Sequence, residues 1–379
     1  MFHQQFHAGV VGRFRPIQLH QARAFLSRVF DTPEYAKQHI RLMITSTILD
    51  VAYGRKISGM DDEYVHNAEK ANEALGIGLV PGASWLEYLP YLKYIPSWVP
   101  GNQSMKLVDH YKPYISFTRD RAFAEVKAAL DSGTAPASVC ATLLEEHRVK
   151  YGGTEAQVEF DTVAKNIMGV AYQFTLETFI VAMAMYPDVQ RKAQAELDRV
   201  IGPNRLPEYD DVEALHYLRA VLMETTRWLP IIPLGIPHMV TEDDVYKGWR
   251  IPKGSLIIPN AWAMLHNPKD YPDPQTFRPE RFLTADGIIN ADVRDPTAIA
   301  FGFGRRICPG KPFVENTLMI FMASVLHSFD ITPGVDTSGR PIELSGELNG
   351  SFLTAPRDVP RGFTPRSQKS VELIRNQVL

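Results

Sequence analysis

Apolar residues recur at three-to-four spacing through most of the first half of the chain, and this periodicity limits the possible folds more than any other feature. It predicts successive amphipathic helices at residues 14–30, 33–53, 61–77 and 104–131. A longer apolar helix is predicted from Thr154 to Tyr186, and Pro187 then begins the next helix, because proline is favoured in a first helical turn. The first half is therefore predicted to be helical.

The second half changes character after a predicted helix at residues 211–229. Residues 231–263 combine proline, glycine and short apolar runs, which is typical of strands and turns. A last amphipathic helix is predicted at about residues 312–329, and the tail beyond residue 330 predicts more short strands. No Gly/Ser-rich linker and no repeat divides the chain. We therefore predict one domain over residues 1–379, mainly α with small β-sheets (α+β).

Composition excludes several classes of protein. The chain has 379 residues with 45% hydrophobic and 22% charged side chains, which is ordinary globular usage and excludes a disordered chain. Forty basic and 43 acidic residues give a net charge of −3, so no basic excess favours nucleic-acid binding. Two cysteines, Cys140 and Cys308, cannot form a disulfide framework. No apolar run is long enough to span a membrane.

Two segments of the first hundred or so residues, at the N-terminus and at residues 81–101, have unusual sequence patterns. Phe2, Phe6, Val10 and Val11 fall on one helical face with no capping residue before them, which suggests that an N-terminal portion is missing. Residues 81–101 contain several prolines and five aromatic residues, so they cannot form a continuous helix. Those aromatic residues either pack onto the body of the protein or form an apolar lip that contacts lipid or controls substrate access.

Cys308 lies in the segment FGFGRRICPG, residues 301–310, directly before a predicted helix. Glycine and proline let the backbone wrap closely around the sulfur, and the N-terminus of the helix favours thiolate over thiol. A buried free cysteine and a nucleophilic cysteine remain alternatives. Tetrahedral zinc is disfavoured because no other Cys or His lies between His266 and His327. A single thiolate ligand points to haem.

This segment resembles the haem-binding loop of the cytochrome P-450 family, whose pattern is Phe-x-x-Gly-x-Arg-x-Cys-x-Gly. All of the defining positions are present, namely Phe301, Gly304, Arg306, Cys308 and Gly310. A second family mark is the pair Glu224 and Arg227, which three-residue spacing places on one helical face. The family's PERF box follows at residues 279–282, and its Arg281 is implied to join the pair in a buried structural triad.

The resemblance implies a set of roles for residues of this chain. Cys308 would be the axial thiolate ligand of haem b, Arg306 and His238 would hold the propionates, and Phe301 would pack against the loop near the sulfur. The alternative for His238 is a side chain that is hydrogen-bonded by local backbone. The substrate pocket would be lined by residues that are otherwise plain core, namely Ile231, Ile232, Leu234 and Phe352.

The chain departs from the family pattern where oxygen is activated. The family's long central helix carries an acid–threonine pair that delivers protons, and KNIMGVAYQFTLETFIVAMAMYP has no such pair after a glycine. An ungapped alignment puts Ile167–Tyr172 at the site. A short deletion between Gln173 and Thr175 would instead make Thr175 the surviving end of the motif. The deletion is favoured because GVAYQ and TLETF both resemble the family.

The implied activity is a monooxygenase that inserts one oxygen atom of O2 into an apolar organic substrate. Electrons would come from NADPH-cytochrome P-450 reductase. The chain resembles the fungal microsomal branch, N-terminally truncated, which implies the cytosolic face of the endoplasmic reticulum, although a chain without an anchor would be soluble or peripheral. Two alternatives remain: peroxide-driven or rearrangement chemistry, which needs no proton relay, and a truncated or splice-variant haem-binding fragment with impaired turnover.

Overall fold

The computed structural model describes residues 2–151 and 173–376, apart from positions 79, 81, 83, 337, 350, 351, 358 and 361. These residues are mainly helical with small antiparallel sheets, which confirms the predicted fold class. They form two compact units. The first contains the described part of Met1–Gln173 together with Pro312–Thr317, and the second contains the described parts of Phe174–Lys311 and Leu318–Gln377.

The first unit is built from helices. Its α-helices are α1 (Phe2–Phe6), α2 (Arg15–Asp31), α3 (Ala36–Tyr53), α4 (Glu63–Gly78), α5 (Trp85–Tyr88), α6 (Gln103–Asp131) and α7 (Val139–Tyr151). The helices predicted at residues 14–30, 33–53, 61–77 and 104–131 are thereby confirmed. The prediction of one helix through Val11 is wrong, because α1 ends at Phe6. Gly9 and Gly12 disfavour its continuation, and a 3-10 turn follows at Val11–Phe14.

Aromatic packing fixes the start of this unit. The rings of Phe6 and Phe14 lie 5.4 Å apart, and each meets the edge of the Phe313 ring. Gln18 is buried on α2 and donates through its amide nitrogen to the carbonyl of Phe313 (2.9 Å) and to the hydroxyl of Thr317 (2.7 Å). These contacts hold α2 against the first turns of the helix that includes Pro312–Thr317.

The proline- and aromatic-rich stretch contains only short helical pieces, as its composition predicts. These are α5 and a 3-10 helix at Pro90–Tyr94. Its five aromatic side chains are 59–78% exposed, and they are Trp85, Tyr88, Tyr91, Tyr94 and Trp98. The interpretation that these rings pack onto the body of the protein is therefore wrong.

The second unit combines helices with four two-stranded sheets. Its α-helices are α8 (Gln173–Met185, which begins at the end of the first unit), α9 (Pro187–Val200), α10 (His216–Trp228), α11 (Ala261–Leu265), α12 (Thr297–Ala300), α13 (Lys311–Ser328, of which Pro312–Thr317 belong to the first unit) and α14 (Gln368–Arg375). Pro187 begins α9, as predicted. Of the long helix predicted at residues 154–186, residues 152–172 lie outside the described part of the chain. None of the helices that are described is long and apolar enough to cross a membrane.

All four sheets are antiparallel pairs. The strands are β1 (His238–Met239), β2 (Asp244–Tyr246), β3 (Trp249–Ile251), β4 (Leu256–Ile257), β5 (Phe329–Thr332), β6 (Leu348–Asn349), β7 (Ala355–Pro356) and β8 (Gly362–Pro365). β1 pairs with β4 around the inner hairpin β2–β3, β5 pairs with β8, and β6 pairs with β7. The strands predicted at residues 231–263 and beyond residue 330 are thereby confirmed.

The core of the second unit joins its helices to its sheets. Gln190 of α9 is buried, and its side-chain amide accepts from the N–H of Ile331 (2.7 Å) and donates to the carbonyl of the same residue (2.9 Å). Trp228, at the end of α10, packs its ring against those of Tyr186 and Phe277. The last turn of α10 and the segment that follows it are therefore held in a fixed position.

Candidate functional site

The segment around Cys308 is a closed loop in the second unit. The N–H of Cys308 donates to the carbonyl of Phe301 at 2.7 Å, so the chain doubles back and brings the two ends of the predicted motif together. A short 3-10 turn at Gly304–Arg306 lies between them. α13 begins directly after the loop, at Lys311. The sulfur therefore sits between a tight loop and a helix N-terminus, as the sequence predicts.

Two glycines have backbone conformations that this loop requires. Gly302 has φ +84° and Gly304 has φ +57°, which is the left-handed region that favours glycine. Gly310 is buried beside the cysteine, and a Cβ atom added there would lie 3.8 Å from its sulfur. The glycines of the motif therefore allow the chain to turn and to approach the sulfur closely.

The environment of the Cys308 thiol is partly buried and has two opposing effects on its acidity. Burial raises the pKa of the thiol above its ordinary value, whereas the backbone N–H groups of Gly310 and Lys311 donate to the sulfur and lower the pKa. Burial is the larger effect. The N–H groups at the helix N-terminus therefore favour thiolate, as predicted, but they do not outweigh burial. A coordinating metal ion would remove the proton in any case.

The donor set of the loop fits a haem iron better than a bare metal ion. Within the described residues, no group of three or more His, Cys, Asp or Glu side chains could hold a metal ion. Tetrahedral zinc needs such a group. The iron of haem is instead bound by the four nitrogens of the macrocycle and needs only one sulfur from the protein. Phe303 and Ile307 lie in the same loop, before Cys308, and each is 42% exposed. The loop thus presents a single sulfur beside apolar surface.

The two predicted propionate partners have exposed side chains. Arg306 lies in the 3-10 turn of the loop, and His238 is the first residue of β1, opposite Ile257 of β4. The ring of His238 is exposed, and its role stays a prediction. Phe301 is half-buried, and the ammonium group of Lys311 lies 6.0 Å from the centre of its ring.

The structure brings Glu224, Arg227 and Arg281 into one buried cluster. The carboxylate of Glu224 accepts from the Nε and Nη2 atoms of Arg227, both at 2.8 Å, and from the Nε atom of Arg281 at 3.1 Å. The N–H of Arg278 donates to the same carboxylate at 2.8 Å. The side chains of Glu224 and Arg227 are fully buried, so this is a charged network with little solvent screening.

The same cluster also binds the backbone of a proline-rich connector, residues 266–282, which precedes the cysteine loop. Arg227 donates to the carbonyls of Leu265 (3.1 Å) and Pro274 (2.8 Å), and Arg281 donates to those of Pro272 (2.6 Å) and Thr276 (3.1 Å). A proline-rich connector has few N–H groups of its own, so the two guanidinium groups satisfy its carbonyls. The arrangement serves as structural support.

The predicted pocket residues lie on two segments that the structure brings together. Ile231 and Ile232 are half-buried and Leu234 is exposed in the segment after α10, whereas Phe352 is buried in the loop between β6 and β7. The connection between the segments is made by Thr354. Its N–H donates to the carbonyl of Ile231 at 2.8 Å.

Thr354 was not among the predicted residues. Its hydroxyl is buried and donates to the carbonyl of Pro230 at 2.8 Å. The partners are 124 residues apart in the chain, so no local spacing could reveal the contact. The only sequence feature that pointed to this contact was the position of the threonine, two residues after Phe352, in a tail that was predicted to approach the pocket.

Thr175 lies in the first turn of α8 and is buried. The alternative placement of the oxygen-activation motif at Ile167–Tyr172 lies outside the described residues. The position of Thr175 in a helix is consistent with either alignment.

Comparison with known proteins relates nearly the whole chain to one family. The family model for cytochrome P450 matches residues 1–357. The chain is 38% identical to cytochrome P450 monooxygenase COX2 of Coprinopsis cinerea over 97% of its length and 70% of that protein. It is 36% identical to cytochrome P450 monooxygenase ple1 of Rhodocybe pseudopiperita (99% and 72%) and 35% identical to tryptamine 4-monooxygenase of Psilocybe cyanescens (99% and 74%).

Proposed function

The chain belongs to the cytochrome P450 family and is an oxidoreductase of the monooxygenase class with a haem cofactor, and from this premise we propose that it inserts one oxygen atom of O2 into an apolar organic substrate. The observation that carries the proposal is the closed Cys308 loop, which holds a single sulfur directly before the N-terminus of α13. The monooxygenase names of its relatives favour this activity over peroxide-driven or rearrangement chemistry.

Residues of the second unit would hold the cofactor, which we propose to be haem b. Cys308 would provide the sulfur ligand of the iron, and the N–H groups of Gly310 and Lys311 would stabilise negative charge on it. Arg306 and His238 would bind the propionates through their exposed side chains, and Phe301 would pack beside the sulfur. When bound, the haem supplies oxygen activation: one atom enters the substrate, while two electrons and two protons convert the other to water.

The remaining residues of the chain would position the substrate and a proton. Ile231, Ile232, Leu234 and Phe352 would form an apolar wall that binds the substrate and excludes water. The hydroxyl of Thr175 would hold a proton for oxygen activation. Its burial in α8 supports this role, because a hydroxyl away from bulk water can pass on a proton without competition from solvent.

We propose that NADPH-cytochrome P450 reductase supplies the electrons at the cytosolic face of the endoplasmic reticulum. The resemblance to fungal monooxygenases supports this partner. We also propose that residues 1–379 act as one catalytic domain, which is supported by a single family match that covers residues 1–357.

The proposal is tested by reconstituting the purified chain with haem, NADPH and a fungal cytochrome P450 reductase. The chain is incubated under isotopically labelled dioxygen with a panel of apolar aromatic and alicyclic compounds. We expect one labelled oxygen atom in the product, only when reductase is present. Products formed equally well with hydrogen peroxide alone, without label from dioxygen, would overturn the monooxygenase assignment.

A further inference from the structure

The candidate pocket wall contains a clamp that connects two distant segments of the second unit. One segment, Leu229–Gly235, follows α10 and has no regular secondary structure. The other is the loop that joins β6 to β7 and carries Phe352. Thr354 lies at the end of this loop. It makes both of its bonds, from N–H and from hydroxyl, to the backbone of the first segment.

Hydrogen bonds at three places hold Leu229–Gly235 in its conformation. At its far end, Gly235 turns back with φ +56° and donates to the carbonyl of Ile232 at 3.0 Å. In the middle, the N–H of Trp262 donates to the carbonyl of Pro233 at 2.8 Å. At the near end, Thr354 binds the carbonyls of Pro230 and Ile231. Of these three, only the last includes a hydrogen bond from a side chain.

The Thr354 hydroxyl is well placed to define this junction. It donates to the carbonyl of Pro230 at 2.8 Å and lies 3.2 Å from that of Ile231, and both Pro230 and Thr354 are buried. Removing the hydroxyl would leave a buried carbonyl without that partner, so the two segments would move to satisfy it. Ile231 directly follows Pro230, whose carbonyl accepts from Thr354, and Phe352 lies two residues before Thr354. Movement at the clamp therefore changes the distance between two apolar side chains of the proposed pocket.

We propose that Thr354 is a positioning residue that sets the shape of the substrate pocket, and hence its preference for bulky apolar ligands. This inference rests on the proposed function, because it takes Ile231 and Phe352 to line the pocket. Thr354 itself touches no substrate and acts through these two side chains. A small ligand that needs only the iron would not sense the clamp, whereas a ligand that also fills the apolar wall would.

The test compares two azole probes in the haem-loaded chain. Imidazole ligates the iron and fills little of the pocket, whereas N-phenylimidazole adds a ring that must fit against the wall. Dissociation constants for both are measured from the shift of the Soret band. The variants are Thr354→Val, which keeps the shape but loses the hydroxyl, and Thr354→Ser, which keeps the hydroxyl. Thr47→Val in α3 is the matched control, because it too loses a buried hydroxyl-to-carbonyl bond (2.7 Å, to Met43).

We expect Thr354→Val to weaken N-phenylimidazole binding by about fivefold, the loss that corresponds to one hydrogen bond, with imidazole binding unchanged. Thr354→Ser should restore the original ratio of the two constants, and Thr47→Val should not alter it. A ratio that is unchanged in Thr354→Val, or that changes equally in Thr47→Val, would overturn the inference.

Two further outcomes separate the inference from the proposed function. If Thr354→Val takes up no haem, Phe352→Leu is measured instead, since it alters the wall and leaves the clamp bonds intact. A ratio that Phe352→Leu leaves unchanged would overturn the inference. Absence of haem in the unsubstituted chain would overturn the proposed function and the inference together, whereas intact haem with an unchanged ratio would overturn the inference alone.

Discussion

At the scale of single residues, the buried carboxylate of Glu224 shows how a charge is kept inside this protein. Four donors from Arg227, Arg278 and Arg281 surround it. Removing two charges from water costs free energy that the attraction between them roughly offsets, so the net contribution of such a pair is small. Breaking the cluster is different, because it leaves one buried charge with fewer partners.

This asymmetry predicts a large effect of Arg227→Met. The variant leaves Glu224 with a single guanidinium and removes the donors to the carbonyls of Leu265 and Pro274. We expect the free energy of unfolding to fall by about 3–5 kcal/mol. The measurement is urea unfolding followed by circular dichroism.

The control is Arg148→Met, which breaks an exposed ion pair with Asp131. A solvent-screened pair of this kind contributes about 0–1 kcal/mol. Equal losses of stability in the two variants would contradict a role for burial.

At the scale of elements, the sequence could predict what depends on local pattern. Helical periodicity identified α2, α3, α4 and α6 to within about three residues, and the motif around Cys308 identified the loop that the structure closes. The end of α1 was missed because glycine outweighed the apolar pattern. The clamp at Thr354 was not predictable, and the sequence could not decide between packed and exposed aromatic residues at 81–101, since both questions depend on contacts between residues far apart in sequence.

The turn after α10 also depends on such a contact. Gly235 has φ +56°, and a Cβ atom there would lie 2.4 Å from the Cγ atom of Pro259. Gly235→Ala would therefore be destabilised by the left-handed backbone conformation and by a steric overlap that the proline ring cannot easily relieve. We expect a loss of stability that exceeds the roughly 1–2 kcal/mol of backbone strain alone.

Gly254→Ala provides the comparison, because Gly254 has φ +86° and open space where a Cβ would be added. Gly254→Ala is therefore destabilised only by the strain of the left-handed backbone. Thermal unfolding midpoints of the two variants should differ, with Gly235→Ala the lower. The same midpoint for both would show that the contact with Pro259 is unimportant.

At the scale of the whole molecule, histidines that are at least partly buried link stability to pH. Burial lowers the pKa of His39 in the first unit and of His266 and His327 in the second. Below the ordinary histidine pKa the unfolded chain therefore binds more protons than the folded chain. Stability is fully present at neutral pH and is expected to decrease as the pH falls from about 7 to about 5.

His327→Gln tests this linkage at one group. The Nε2 atom of His327 lies 2.9 Å from the carbonyl of Gly202, and the amide of glutamine can donate there without titrating. The charged groups that act on this histidine are Arg366, Asp198 and Arg205. The unfolding free energy of the variant should depend less steeply on pH between about 7 and 5. An unaltered slope would contradict a contribution from His327.

The central claim is that Cys308 holds a haem through its sulfur, and an optical difference spectrum tests it most directly. The chain is reduced with dithionite and measured with and without carbon monoxide, next to Cys308→Ser and to Cys140→Ser, which replaces the other cysteine, a buried one. We predict a far-red-shifted Soret band for the unsubstituted chain and for Cys140→Ser, and its loss in Cys308→Ser. A band that survives in Cys308→Ser, or an unsubstituted chain that shows only the shorter-wavelength band of haem with a neutral ligand, would contradict the claim.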